Sequence, residues 1–190
     1  MHRAIIVANL NTYMKPVLMI HEITDSLFER NLEDYVLTFD DGLYSHFYHF
    51  DKFANIKTEK IYFISSGIIC NCLQNTNFPT SVIAHEKAFA GNCEDFMTIE
   101  QIKELASYPN VTIGGHGHSH SDLNQLDKIT DRIRFVIEDT DKMISWFKTN
   151  LGFKPTSFCF PYNNDLNGLY LGMLKNYGFT DFYGKERIGA

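Results

Sequence analysis

The stretch Tyr35-Val36-Leu37-Thr38-Phe39-Asp40-Asp41-Gly42 begins as an apolar run and ends in two carboxylates and a glycine. This pattern predicts a buried strand whose carboxyl end carries both acids, with the glycine turning the backbone. Two adjacent acids in such a place repel each other and lose hydration, which costs free energy unless a cation or a proton relieves it. A metal would do so, although an ordinary acidic turn containing glycine is an alternative at this point.

A second polar cluster occurs in the stretch Gly114-Gly115-His116-Gly117-His118-Ser119-His120-Ser121-Asp122-Leu123. It follows the apolar residues 111–113, which we interpret as a strand that delivers the histidines at its end. Three histidines in five residues rarely serve packing. His116 and His120 could meet on one face of a first helical turn, whereas residues 116, 118 and 120 would share a face only in an extended segment.

Short apolar runs alternate with helical patterns along the whole chain. The predicted strands are 16–22, 35–40, 61–64, 111–113, 157–160 and 179–183, and the predicted helices are 43–54, 98–108, 127–150 and 165–177. Four strands end in polar residues, which are His21, the Asp40–Asp41 pair, the histidine cluster and Tyr162. This alternation predicts α/β architecture with a parallel sheet covered by helices, and chemistry gathered at strand ends favours a (β/α) barrel over an open sheet.

Three segments allow more detailed predictions. Thr98 and Gln101 have capping-box spacing at the start of the 98–108 helix. An apolar stripe on the 127–150 helix is expected in the core, and it comprises Ile133, Val136, Ile137, Met143, Ile144 and Phe147. Residues 70–96 lack periodicity; His85 and Glu86 within them could line a cleft, although we expect a solvated loop.

Composition limits the classes of function. With 190 residues and 44% hydrophobic residues, residues 1–190 are expected to form one domain. The net charge of −6 is spread along the chain, which argues against nucleic-acid binding. The apolar run Ala4–Ala8 is too short for a signal segment or a membrane span, so we expect a cytoplasmic protein if residue 1 is the natural start. No glycine-rich phosphate loop occurs, and the four cysteines show no disulfide or CxxC pattern.

Imidazole nitrogens and carboxylate oxygens suit zinc and other borderline divalent ions. Two histidines with one aspartate would form a metal site, leaving the second aspartate for proton transfer. Such a site would activate a water for hydrolysis, so no serine or cysteine nucleophile is required, and the sequence has no G-x-S-x-G elbow.

The strings Thr38-Phe39-Asp40-Asp41-Gly42 and His116-x-x-x-His120-Ser121-Asp122-Leu123 resemble the first two motifs of the NodB-type polysaccharide deacetylases, carbohydrate esterase family 4. The resemblance spans about residues 17–183. It implies a distorted, incomplete (β/α) barrel that removes an N-acetyl or O-acetyl group from a sugar. It also implies that Asp40 is the general base, that Asp41, His116 and His120 bind a divalent metal, and that a metal-bound water is the nucleophile. Zn²⁺ is the preferred ion, with Ni²⁺ or Co²⁺ as alternatives.

The sequence departs from the family pattern in two places. Family members commonly have an arginine before Pro-Tyr in the third motif, where this chain has Cys159-Phe160-Pro161-Tyr162, so the arginine that orients the base is expected to be missing. Tyr162 is retained, and its backbone N–H is a candidate oxyanion donor. The C-terminal motif that commonly supplies a catalytic histidine is also missing. Circularly permuted members carry that histidine near the N-terminus, which makes His21 the candidate general acid; a structural strand-end histidine is the alternative.

The sequence therefore predicts a metal-dependent carbohydrate deacetylase whose partner is an acetylated sugar or polysaccharide precursor. Two other functions stay open. One is a catalytically impaired relative that binds a metal or a sugar, which a missing arginine would permit. The other is a hydrolase of a non-sugar C–N amide bond, such as a cyclic imide.

Overall fold

The structure is a computed structural model that describes residues 15–190. The run Ala4–Ala8, on which the prediction about signal segments depends, lies outside these residues. Within residues 15–190, no helix combines the length and the apolar character needed to cross a membrane.

The described residues 15–190 contain seven strands, which are β1 (Val17–Ile20), β2 (Val36–Phe39), β3 (Lys60–Ile64), β4 (Val111–Gly115), β5 (Ser157–Cys159), β6 (Asp181–Tyr183) and β7 (Ile188–Gly189). They form one parallel sheet in the order β6-β5-β4-β3-β2-β1-β7. The six predicted strands are confirmed. The two-residue strand β7 was not predicted, because it is too short to show periodicity.

The sheet is curled into an incomplete barrel. Strands β6 and β7 lie at opposite edges of the sheet order, yet only residues 184–187 connect them. Five Cα steps span at most about 19 Å, whereas the edges of a flat seven-stranded sheet would lie about 29 Å apart. The sheet must therefore bend until its edges approach, which confirms the predicted distorted (β/α) barrel.

Six α-helices accompany the strands in the part of the chain that the structure describes. They are α1 (Tyr44–Tyr48), α2 (Asp51–Ala54), α3 (Ser81–Phe89), α4 (Ile99–Ala106), α5 (Ile129–Leu151) and α6 (Leu169–Asn176). The helix predicted at 43–54 is divided into α1 and α2. The capping box of Thr98 and Gln101 is present at the start of α4. Helix α6 begins later than predicted, because Leu166, Asn167 and Gly168 have positive φ and cannot continue a right-handed helix.

The main core lies between the sheet and these helices. Strand side chains such as Phe39 and Tyr62, whose rings stack at 4.5 Å, are fully buried in it. Helix α5 contributes Val136, Met143 and Phe147, as its apolar stripe predicted. The prediction that Ile137 is in the core is wrong, since this residue is 41% exposed. A helix turns about 100° per residue, so the neighbour of the buried Val136 faces away from the core.

Candidate active site

The predicted site residues converge at the carboxyl ends of the strands. One cavity of about 390 Å³ is lined by His21, Asp40, Asp41, His116, His120 and Tyr162. Parallel strands deliver their carboxyl ends to one rim of a barrel, which is why residues far apart in sequence meet there. Helix α3 forms a further wall of the cavity.

Asp41 faces the two histidines of the resemblance. Its Oδ1 lies 3.2 Å from Nε2 of His116 and 3.1 Å from Nε2 of His120, and all three residues are buried. The Nδ1 of His116 lies 2.9 Å from the carbonyl oxygen of Cys159. A carbonyl only accepts, so Nδ1–H donates to it and Nε2 is left to face Asp41.

The electrostatics of these three groups follow from burial and from their mutual contacts. Burial opposes ionisation of Asp41, but hydrogen bonds from His116 and His120 hold its pKa well below the ordinary value. Burial lowers the pKa of His120 to about 4, despite Asp41. At His116 burial also acts to lower the pKa, but the hydrogen bond to Asp41 and the charges of both aspartates outweigh it and raise the pKa. The pKa values of the two imidazoles differ because the charge of Asp40 raises that of His116, whereas the neighbouring His116 and His85 lower that of His120.

Asp40 has a different partner, Arg187. The guanidinium Nη1 and Nη2 donate to Oδ1 and Oδ2 of Asp40, each at 2.7 Å, and both side chains are buried. Burial would raise the pKa of Asp40, but the hydrogen bonds and charge of Arg187 outweigh it, so the pKa lies below its ordinary value. Two parallel hydrogen bonds of this kind fix the orientation of the carboxylate as well as its charge.

The expectation that no arginine orients Asp40 is therefore wrong. Arg187 comes from the connection between β6 and β7, and it also donates to Thr38 Oγ1 at 3.0 Å and to Asn163 Oδ1 at 3.1 Å. Its Nη2 lies 3.0 Å from Sγ of Cys159, the residue in the third motif. Sequence reasoning missed Arg187 because Lys185-Glu186-Arg187 resembles a solvated charged run. The only feature of the sequence that could have indicated Arg187 is its position after the last predicted strand, which ends on the same rim as Asp40.

His21 follows β1 and borders the cavity beside Asp40. Its Nε2 lies 3.8 Å from Oδ2 of Asp40, and its side chain is 30% exposed. The backbone carbonyl of His21 lies 2.7 Å from Nε2 of the buried His46. Burial lowers the pKa of His46 to about 4, so the neutral ring of His46 donates to this carbonyl and supports the backbone that carries His21.

Tyr162 is at the open side of the cavity. Its side chain is 52% exposed, and its ring centroid lies 5.0 Å from that of His120. Its φ of 55° is in the left-handed region, which non-glycine residues seldom adopt outside functional sites and tight turns.

The segment from His116 to His120 is neither a helical turn nor an extended strand. Gly117 has a φ of 75° and His120 a φ of 49°. Asp139 of α5, which is buried, accepts hydrogen bonds from the backbone N–H of His118 at 2.7 Å and of Ser119 at 3.0 Å. Sequence analysis did not single out Asp139, since a single acid in a long helix carries no motif.

The interpretation of His85 as part of a solvated loop is wrong. Residues 81–89 form α3, whose Thr80 side chain accepts from the N–H of Ile83 at its start. His85 is buried, and its ring stacks on that of His120 with centroids 4.0 Å apart. Its Nε2 lies 3.8 Å from Oδ1 of Asp41. Residues 81–89 show no helical period of apolar residues, because the helix buries only Ala84 and His85.

The donor set around Asp41 fits a divalent metal ion. Two ligand atoms about 2.1 Å from one zinc ion at the tetrahedral angle lie about 3.4 Å apart, and the separations between Asp41 and the nitrogens of His116 and His120 are close to that value. The chemistry of two imidazoles and one carboxylate suits zinc, nickel or cobalt. Asp40, held by Arg187, remains outside this set.

The fold and the site together define a (β/α)-barrel protein with paired acids and histidines at the carboxyl rim of its strands. A family model described as polysaccharide deacetylase matches residues 30–182. The chain therefore belongs to the polysaccharide deacetylase family, whose members are hydrolases.

Solved structures agree on the fold. IcaB from Ammonifex degensii is 22% identical, with a TM-score of 0.59, over 81% of this chain and 67% of that one. A de-N-acetylase from Aggregatibacter actinomycetemcomitans is 14% identical, with a TM-score of 0.58, over 82% and 68%. The Streptococcus pyogenes deacetylase PplD, solved in complex with acetate, is 14% identical, with a TM-score of 0.55, over 86% and 80%. No curated protein sequence matches this chain.

Proposed function

We propose that this chain is a metal-dependent deacetylase that hydrolyses the N-acetyl or O-acetyl group of a sugar or polysaccharide precursor. The observation that carries the proposal is that the two adjacent acids have different partners. Asp40 pairs with Arg187, while Asp41 faces His116 and His120. One carboxylate is thereby available for proton transfer and the other for metal binding.

Asp41, His116 and His120 would hold the ion, with zinc preferred over nickel or cobalt. A divalent ion there would polarise the acetyl carbonyl and lower the pKa of a water from about 15.7 toward about 7. The Nδ1–H of His116, donating to the Cys159 carbonyl, orients that ring for ligation. We further propose that residues 1–190 form a single domain, which contains all of these residues.

Asp40 acts as the general base in this proposal and accepts the proton of the attacking water. Arg187 keeps it ionised, since the pKa of Asp40 is held below its ordinary value. Both oxygens already accept from the guanidinium, but a carboxylate has about four lone-pair positions, so a further proton can be accepted.

His21 acts as the general acid and protonates the leaving nitrogen. Its place beside Asp40 in the lining of the cavity, with a side chain that is 30% exposed, supports this role. The backbone N–H of Tyr162 is proposed to stabilise the developing oxyanion. The alternative of a catalytically impaired relative loses its main support, because it depended on a missing arginine.

Acetate release from N-acetylglucosamine oligomers and from an O-acetylated sugar, together with ring opening of a cyclic imide, tests the proposal. For the protein reconstituted with zinc, we expect acetate from an acetylated sugar and no opening of the imide. Imide hydrolysis alone would instead support the non-sugar hydrolase.

The base assignment is tested with Asp40→Asn. Turnover should fall by about 10²–10⁴-fold, because general-base catalysis is lost. The bound metal should be retained. Asp127→Asn, at an exposed aspartate, is the matched control and should behave as the unaltered protein. Near-normal turnover in Asp40→Asn would contradict the assignment.

A further inference from the structure

His85 is a third histidine beside Asp41, and the proposed mechanism does not use it. It lies on the face of α3 that lines the cavity. Its Nε2 is 3.8 Å from Oδ1 of Asp41, and the ligand atoms of Asp41, His85 and His120 all lie within 4.8 Å of one another. These three side chains come from three separate segments of the chain.

Hydrogen bonding determines which ring nitrogen of His85 carries the proton. Nδ1 lies 2.8 Å from the carbonyl oxygen of Ser81, one turn earlier in α3. Because a carbonyl can only accept, Nδ1 is the donor, and in the neutral imidazole that binds metals Nε2 therefore carries a lone pair. This arrangement is the one that commonly orients a histidine for metal binding through its other nitrogen.

The lone pair of Nε2 has no partner among residues 15–190 that could satisfy it. The atom is buried without a hydrogen bond in the described part of the chain. The 3.8 Å between it and Asp41 exceeds hydrogen-bond length. A lone pair that faces a buried carboxylate is unfavourable, and a cation between the two would remove the conflict.

Helix α3 is anchored so that this ring is held in place. Ala84 packs in a small core with Leu43, Ile68 and Phe96. Lys87 of α3 pairs with Asp95 at 3.0 Å. The next residue, Phe96, forms a β-bridge with Leu43, which follows the turn after Asp41. The position of His85 relative to Asp41 is therefore set by packing on both sides.

We propose that His85, through Nε2, is a fourth protein ligand of the metal bound by Asp41, His116 and His120. This inference rests on the metal site of the proposed function. Three imidazoles with one carboxylate make the donor set richer in nitrogen, which favours zinc, cobalt or nickel over magnesium. The site would also need a coordination number above four to admit a water.

Titration of the metal-free protein with Co²⁺ alone tests the inference, with both affinity and the visible d–d absorption as readouts. His85→Ala should weaken Co²⁺ binding by about tenfold or more and should change the absorption bands, since a ligand is lost. His85→Phe keeps an aromatic ring for stacking on His120 but lacks the nitrogen, so we expect the same loss. His49→Ala, at a histidine that does not line the cavity, is the control and should match the unaltered protein.

The outcomes separate this inference from the proposed function. Unaltered affinity and absorption in His85→Ala, alongside lost binding in His116→Ala, would overturn the role of His85 and leave the metal site standing. Recovery of binding in His85→Phe would likewise overturn it, because packing alone would then explain the alanine variant. Failure of the unaltered protein to bind Co²⁺ would overturn both proposals.

Discussion

Arg187 is a buried cation that contacts Asp40 across 147 residues of sequence. A buried carboxylate without a partner would be protonated at higher pH than a free one, because burial disfavours its charge. Arg187 reverses this effect, so the pKa of Asp40 lies below its ordinary value. At the scale of single residues, the ionisation of the proposed base therefore depends on the connection that follows β6.

Replacing Arg187 should make activity sensitive to acid. In Arg187→Gln the effect of burial is unopposed, so the pKa of Asp40 rises and the acidic limb of kcat/KM moves to higher pH. Arg187→Lys retains the charge but not the paired hydrogen bonds, so the acidic limb of its kcat/KM profile should move less. The measurement is the pH profile of kcat/KM on an accepted substrate, with Arg134→Gln as a control at an exposed arginine. An unmoved acidic limb in Arg187→Gln would show that Arg187 does not control the base.

The residues of the site differ in how well the sequence predicts them. Asp40 and Asp41 are predictable because they end an apolar run, and His116 and His120 are predictable because they belong to a dense histidine cluster after a predicted strand. Arg187 and His85 are not, since their neighbours in sequence are those of ordinary surface segments. Only the tertiary fold brings them to the rim, and that information is absent from local patterns.

The connection from β4 to α5 is the element that holds two of the proposed ligands. It needs Gly117, whose φ is 75° and whose missing Cβ would lie 2.9 Å from Oδ2 of Asp139. Asp139 in turn accepts from the backbone of residues 118 and 119. The position of His116 relative to His120 is thus set by an acid of α5.

Gly117→Ala should damage both stability and metal binding. A left-handed conformation costs a residue with a side chain about 1–2 kcal/mol, and contact with Asp139 would also displace the connection. Gly152→Ala is the matched control, because Gly152 has a φ of 79° and nothing within 4 Å of the missing Cβ. Denaturant unfolding should show a loss in both variants, whereas zinc affinity should fall only in Gly117→Ala. Equal zinc affinity in the two variants would contradict the proposed role of Asp139.

Helices were predictable where an apolar stripe or a capping pattern marked them. Helix α5, with 23 residues and a strong apolar stripe, was found within two residues at each end. Helix α3 was missed because it buries only two side chains, although it is longer than the predicted helix α4. Strand β7 has only two residues, both exposed, and forms because closure of the barrel brings it beside β1.

At the scale of the whole molecule, the curl of the sheet creates the site. Residues 184–187 pass from one edge of the sheet order to the other, and this passage places Arg187 over Asp40. The same curvature brings the ends of β1, β2, β4 and β5 around one cavity. The fold class, including the incomplete barrel, was predictable from the sequence, whereas the passage of residues 184–187 that brings Arg187 to Asp40 was not.

The most direct test of the account is the metal content of the purified protein, measured by elemental analysis for the unaltered chain and for His116→Ala. We expect about one zinc, nickel or cobalt ion per chain and its loss in the variant, since removal of the His116 imidazole weakens binding of the ion. His49→Ala should retain the ion. A metal-free unaltered chain that takes up none of these ions when they are supplied would contradict the central claim that Asp41, His116 and His120 form a metal site.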